Sequence, residues 1–156
     1  MDPLSVIASV AGTISAASGI IKVLEPYAAA HKKAPEIASQ VHSEALTTKT
    51  ILVSLQQLIN NFIARENTDE SSAQDPTYAA LLPVDHIIAI FTDGVLLFSE
   101  FDSVLQSLPP LETKGPGTRW WTSVQWVRKR GSLSVLLARL QAFKQSVDCI
   151  LSVFNR

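Results

Sequence analysis

At 156 residues and 47% hydrophobic, the chain is long enough for one domain with a substantial core and too short for two, so a single domain over residues 1–156 is expected. Its charged fraction of 17% lies below the roughly 25% usual for soluble proteins, which points to extensive helix-helix burial or to a lipid-facing role. One cysteine, Cys149, excludes an internal disulfide and favours a reducing interior.

The opening segment, Met1 to Leu24, carries a single charge after Asp2, at Lys22. Asp2 and Pro3 mark a helix start, because a carboxylate accepts from first-turn amides and Pro fits the first helical position. Pro26 is the expected stop. Ile7, Val10, Ile14, Ala17, Ile21 and Leu24 recur at steps of three and four as an aliphatic stripe, and Ser5, Ala8, Gly12, Ser15 and Gly19 form a parallel stripe of small residues. Such a stripe admits a close backbone neighbour, so the helix is expected to be covered on most sides. With Asp2 in place of a basic region, the segment is a poor secretory signal. No run of 18 or more large apolar residues marks a constitutive membrane span.

From Pro35 a second helix is predicted to about Arg65, with Ile37, Val41, Ala45, Thr48, Leu52, Leu55, Ile59 and Phe62 on one face. Residues 66–76, polar and Ser-rich, read as a mobile loop. A short helical turn at Tyr78 to Leu82 precedes a third helix opened by Pro83, with Ile88, Phe91, Val95, Phe98 and Leu105 buried and Leu108 at its end before Pro109 and Pro110. After a loop at residues 111–117, an amphipathic helix is expected from Thr118 to about Arg130. A longer one then runs from Ser132 to Phe154, with a kink available at Gly131. Leu133, Leu136, Leu140, Phe143, Val147, Ile150 and Phe154 keep its period. Four or five helices in this order predict an all-α, up-down bundle with left-handed packing.

Catalytic chemistry finds little support. His31, His42 and His86 lie in different segments with no ligand at metal spacing, so no metal or cofactor is expected. Lys114 to Thr118 has phosphate-loop letters in the wrong order and reads as a turn. Asp93 and Glu100 share a solvent face rather than forming an acid-base pair. Cys149 lacks an activating partner and reads as a small buried hydrophobe. The chain is not expected to be an enzyme.

Charge is unevenly placed. Residues 1–110 hold 5 Lys or Arg against 12 Asp or Glu, whereas residues 111–156 hold 8 against 2. Pairing between neighbouring helices is the simplest account. Within the basic segment, Arg119, Trp120 and Trp121 precede Trp126 and Arg128, Lys129 and Arg130, so all three tryptophans lie beside the cations. Rings with a basic flank suit a bilayer interface, and Arg119, Trp121, Arg128, Lys129 and Arg130 are a candidate surface for anionic lipid or a partner. They equally suit a bundle core, since Trp120, Val124 and Val127 continue an apolar stripe. The cluster is too short, in too acidic a chain, for nucleic acid.

The first helix is the second candidate. At about 1.5 Å per residue, Pro3 to Leu24 extends roughly 33 Å, enough for a hydrocarbon core of about 30 Å. Ser5, Ser9 and Thr13 draw a polar line that an oligomer could turn towards a lumen. A central bundle helix with small residues for tight packing is the alternative.

Together, the opening MDPLSVIASVAG, the Gly-containing first helix, ILVSLQQL at residues 51–58, the aromatic third helix and the segment RWWTSVQWVRKRGSLSVLLARLQAFKQSVDCILSV resemble the fungal HeLo-like N-terminal domain of STAND-type NOD-like receptors. The resemblance spans essentially the whole chain, and the MDPLSV-type opening is its most telling part. It implies an all-helical effector of programmed cell death in fungal non-self recognition, resting in the cytoplasm and moving to the plasma membrane on activation. In that family the N-terminal helix serves membrane targeting and permeabilisation after oligomerisation. Carried over, this segment is Leu4 to Leu24, with Leu4, Ile7, Val10, Gly12, Ile14, Gly19 and Ile21 as insertion and oligomerisation residues. The implied partners are other copies of the chain, membrane lipid, and an upstream NOD-like receptor or amyloid-motif protein. The sequence carries no nucleotide-binding module and no amyloid-forming tail, which implies an isolated domain or an activator on another protein. A helical adaptor or dimerisation module without membrane activity is the competing expectation.

Overall fold

Four long helices are arranged so that every one of them presents a heptad-spaced apolar seam to the others. The computed structural model describes residues 3–29, 36–68, 84–108 and 116–155, and contains α1 (Pro3–Ala29), α2 (Glu36–Thr68), α3 (Val84–Gln106) and α4 (Pro116–Phe154) with no strand among the described residues. The all-α up-down bundle expected from periodicity is therefore what forms.

Along each helix a series of buried positions alternates by three and four, with Ile21, Ile37 and Leu97 also buried beside it. In α1 they are Val6, Val10, Thr13, Ala17, Ile20, Leu24 and Tyr27. The series in α2 is Ala38, Val41, Ala45, Thr48, Leu52, Leu55 and Ile59, and in α4 it is Leu133, Leu136, Leu140, Phe143, Val147 and Ile150. In α3, Ile87, Phe91, Phe98, Phe101, Leu105 and Leu108 follow the same rule, with Gly94 filling the remaining place. A repeat of this kind averages 3.5 residues and keeps one narrow seam facing the partner helices. It corrects the predicted faces. Ile7, Ile14, Ile88 and Val95 lie beside the seam and are half-buried, because Thr13 and Gly94 hold core positions that hydrophobicity alone passes over.

Contacts fix the order around the bundle. α1 packs on α2 and α3, α4 packs on the same two, and among the described residues neither α1 with α4 nor α2 with α3 shares a backbone interface. The ring order is thus α1-α2-α4-α3. Thr13 lies beside Phe91, and Ala16 to Ile20 beside Phe98 to Ser103, so α1 and α3 run parallel. Lys144 with Glu44, and Ser39 to Ser43 beside Leu137 and Gln141, set α2 parallel to α4; Arg139 with Glu100, and Gly94 against Phe143, set α3 antiparallel to α4.

Several predicted boundaries shift. Pro26 lies inside α1, which continues to Ala29. One missing amide bond in a last turn is outweighed here by the burial of Tyr27, the next residue, whose ring meets Trp126 edge-on at 4.9 Å. Residues 66–68, predicted as loop, complete α2, while the rest of the 66–76 segment and the Tyr78 to Leu82 turn lie outside the described residues. α4 starts at Pro116 rather than Thr118 and passes through Gly131 as one helix. Buried Trp126 and Leu133 on either side of that glycine share the seam at a seven-residue spacing, which holds the backbone in register. Phe62 is 40% exposed instead of buried. Since Glu44 is level with Lys144, Phe62 lies two turns past the end of α4, where no neighbour covers it from that side.

The last turn of α3 tightens through i to i−3 bonds, with Ser107 N–H donating to Val104 O (3.2 Å) and Leu108 N–H to Leu105 O (3.1 Å). Leu108 is thereby tucked into the core just before the two prolines.

Candidate functional site

Helix α1 occupies a corner of the bundle with one face inward and one outward. Inward, Val10, Ala17 and Leu24 are fully buried. Outward lie Leu4, Ser5, Ala8, Ala11, Gly12, Ser15 and Gly19, all exposed, with Leu4 at 67%. The expectation that this helix is covered on most sides is corrected: its small-residue stripe faces solvent, and a Cβ built at Gly12 or Gly19 meets nothing within 4 Å. Of the remaining insertion candidates, Val10 and Ile21 are buried and Ile7 and Ile14 half-buried.

The hydroxyls of α1 are satisfied by the helix itself. Ser9 Oγ donates to Ser5 O (2.9 Å), Thr13 Oγ1 to Ser9 O (2.8 Å) and Ser18 Oγ to Ile14 O (2.8 Å). Such back-bonding removes the desolvation cost that a bare hydroxyl carries in an apolar medium. Thr13 Oγ1 also stands 3.2 Å from Phe91 O, with its side chain buried against α3. The close helix approach that the sequence assigns to Gly12 and Gly19 is found at Gly94 instead. A Cβ there would come within 2.6 Å of the Phe143 ring and 3.2 Å of the Thr13 methyl.

By length and composition, Leu4 to Ala28 is long and apolar enough to cross a membrane. This agrees with the length expected for the first helix and leaves the expectation of no run of 18 or more large apolar residues as it stood. Continuation through Pro26 adds a turn, and Ala, Gly, Ser and Thr keep the stretch from Leu4 to Ile21 uncharged, with Lys22 and Glu25 near the far end.

The basic segment divides into two kinds of residue. Arg139 pairs with Glu100 (2.5 Å) and Lys144 with Glu44 (2.8 Å), which is the pairing of basic and acidic helices expected from the charge split. Arg128, Lys129 and Arg130 have no carboxylate partner among the described residues; the two arginines are exposed and the lysine half-buried. The side chains of Arg119, Trp120 and Trp121 lie outside the described residues. Trp126 is a core residue at 2% exposure, whereas Val127, predicted for the core, is 72% exposed. On a helix these neighbours differ by 100°, so a seam through Trp126 turns Val127 outward.

Cys149 is exposed rather than a buried hydrophobe, being on the outer face of α4 opposite Val147 and Ile150. Among the described residues no three His, Cys, Asp or Glu side chains are grouped as a metal site. Tyr27 carries a pKa raised above 10.0 by burial.

Sequence reasoning missed Thr13, Gly94, and the Tyr27 and Trp126 pair. Extending one strict heptad through each helix, polar and small residues included, finds all of them. No family model matches the sequence, and neither the curated proteins nor the solved structures give a match.

Proposed function

We propose that this protein is a cell-death effector domain of the HeLo-like kind, in which α1 leaves the bundle, associates with α1 of other copies and makes a bilayer leaky. An upstream NOD-like receptor or amyloid-motif protein clusters the domains, and the cytoplasmic resting form then moves to the plasma membrane. The observation that carries this reading is a terminal helix at a bundle corner, uncharged from Leu4 to Ile21, with its outer face open and the hydroxyls of Ser9, Thr13 and Ser18 already bonded to its own carbonyls. A corner helix touching two neighbours can depart without threading through the fold. Differential burial drives the step: lipid and sister helices must cover α1 better than α2 and α3 do. The small outer stripe then supplies the close helix contacts that membrane association uses.

A helical adaptor is favoured by a different observation. Val10, Ala17 and Leu24 are fully buried, so departure of α1 opens the core.

Dye release from vesicles separates the two readings. Gly12→Glu places a charge on an exposed, unobstructed position, so the expected result is an unchanged melting temperature with dye release lost. Release by neither protein at any anionic lipid content overturns the effector reading and leaves the adaptor.

A further inference from the structure

The outer side of α4 is the corner of the bundle diagonal to α1. At about 100° per residue, Val127, Gly131, Ala138, Ala142 and Cys149 fall within about 40° of one line down the helix, and all five are exposed. Val127 is 72% exposed and Val135, close by the line, 62%. From Val127 to Ser152 no charged side chain of α4 lies within about 60° of that line. A strip of about 37 Å therefore carries apolar surface that neither α2 nor α3 covers.

The borders of the strip are charged. The pairing of Arg139 with Glu100 marks its α3 side, and that of Lys144 with Glu44 its α2 side. Arg128 lies about 80° from the line towards α3, whereas Arg130 and Asp148 lie about 80° from it towards α2. On the α3 side, Asp93 opens into the groove beside Ala142 and Ser146. Arg128, Arg130, Asp93 and Asp148 are exposed and form no ion pair among the described residues. Each border thus holds an unpaired cation near the start of the strip and an unpaired carboxylate near its end.

We infer that a second copy of this chain docks on this strip, α4 against α4 and antiparallel, about a twofold axis passing near Ala138. Such an axis reverses the helix and keeps each border on its own side. Residue 130 of one copy is then level with about residue 148 of the other, so Arg130 meets Asp148, and Arg128 comes within about one turn of Asp93. Symmetry makes each contact twice. Val127 becomes level with about Cys149, and Arg139 stands near the axis already neutralised by Glu100. A parallel twofold would exchange the borders at equal height, setting Arg128 against Arg130 and Asp93 against Asp148, and like charge disfavours it. The contact lies on the corner opposite α1, so it does not depend on whether that helix leaves the bundle.

Sedimentation equilibrium of the full chain is expected to show a dimer with a dissociation constant of about 1 μM to 1 mM. Ala138→Glu, like any large group at that point, sets two copies of itself against each other at the axis and is expected to give a monomer of unchanged helicity by circular dichroism. Arg130→Asp replaces two attractions with two repulsions and is expected to weaken the dimer on the order of tenfold, and R130D/D148R to restore it. Gly12→Glu, on the opposite corner, is expected to sediment like the unaltered protein. Thiol oxidation reads the orientation. In the antiparallel pair the two Cys149 side chains stand about 30 Å apart along the helix, so the unaltered chain is expected to give no covalent dimer, whereas Ala138→Cys combined with Cys149→Ser gives one. A chain still monomeric at about 1 mM overturns the contact. So does a dimer indifferent to Ala138→Glu or opened by Gly12→Glu, a failure of R130D/D148R to recover what R130D loses, or a covalent dimer through Cys149.

Discussion

Glycine has opposite meanings at three sites in this molecule, and the side chain that decides between them belongs to another helix. Gly94 sits in the α3 seam with the Phe143 ring where its Cβ would go, and that ring is held in turn by an edge-on contact with Phe98, centroids 6.3 Å apart. Gly94→Ala therefore forces a buried ring to move, and overpacking of this kind costs about 1–3 kcal/mol. The change is expected to lower the midpoint of thermal unfolding by several degrees, at about 2–4 °C per kcal/mol for a chain of this size. At Gly12 and Gly19 the space is open, so each Gly→Ala change is expected to stabilise by about 0.5–1 kcal/mol through helix propensity. Urea denaturation of the three variants checks the contrast, and a neutral Gly94→Ala would mean that α1, α3 and α4 do not converge there. Tyr27 makes a second prediction. Burial raises its pKa in the folded protein, so the unfolded chain loses the proton first as pH rises past about 10. Its contribution is complete below that pH and is lost as pH climbs through the folded value. Unfolding free energies measured from pH 8 to 11 are expected to fall less steeply for Tyr27→Phe than for the unaltered chain.

At the scale of the helix, the pattern of apolar residues was enough to find all four elements, and it failed wherever one residue had to be weighed against its neighbours. Pro26 and Gly131 are the clearest cases. Each reads locally as a break, and each is overridden by a seam residue just beyond it, Tyr27 in α1 and Leu133 in α4. Tertiary packing of that sort outweighs propensities of order 1 kcal/mol. The same competition decides the inner face of α1, where Val10, Ala17, Ile21 and Leu24 are buried as expected but Val6, Thr13 and Ile20 take the seam places read for Ile7 and Ile14, because Thr13 rather than Ile14 faces α3. The open small-residue face of α1 could not be read from sequence either, because a stripe of Gly, Ala and Ser is equally at home against a neighbour or in water. A single continuous α4 carries its own prediction. Gly131 is exposed, mid-helix and unobstructed, so Gly131→Ala is expected to stabilise by about 0.5–1 kcal/mol in chemical denaturation. A helix broken at that residue would show a loss instead.

For the whole molecule, the decisive property is the ring order, since it determines how many neighbours α1 must leave. In a bundle whose helices follow one another around the ring, α1 would flank α4 and lie diagonal to α3; here it flanks α3 and lies diagonal to α4. Release of α1 accordingly strips one face each from α2 and α3, while both ion pairs, which tie α4 to α2 and α3, remain in place. The remnant keeps a clamp. Distances between paired spin labels test the arrangement once Cys149, which is exposed, is replaced by Ser. Labels at Ser15 of α1 and Ser99 of α3 are on adjacent helices, with axes about 8–10 Å apart, whereas Ser15 and Ala138 of α4 are on the outer faces of opposite corners. The first pair is expected to be distinctly closer than the second. The reverse order would place α1 against α4 and make its departure expose the basic helix itself, and the count of neighbours that α1 leaves would have to be drawn anew.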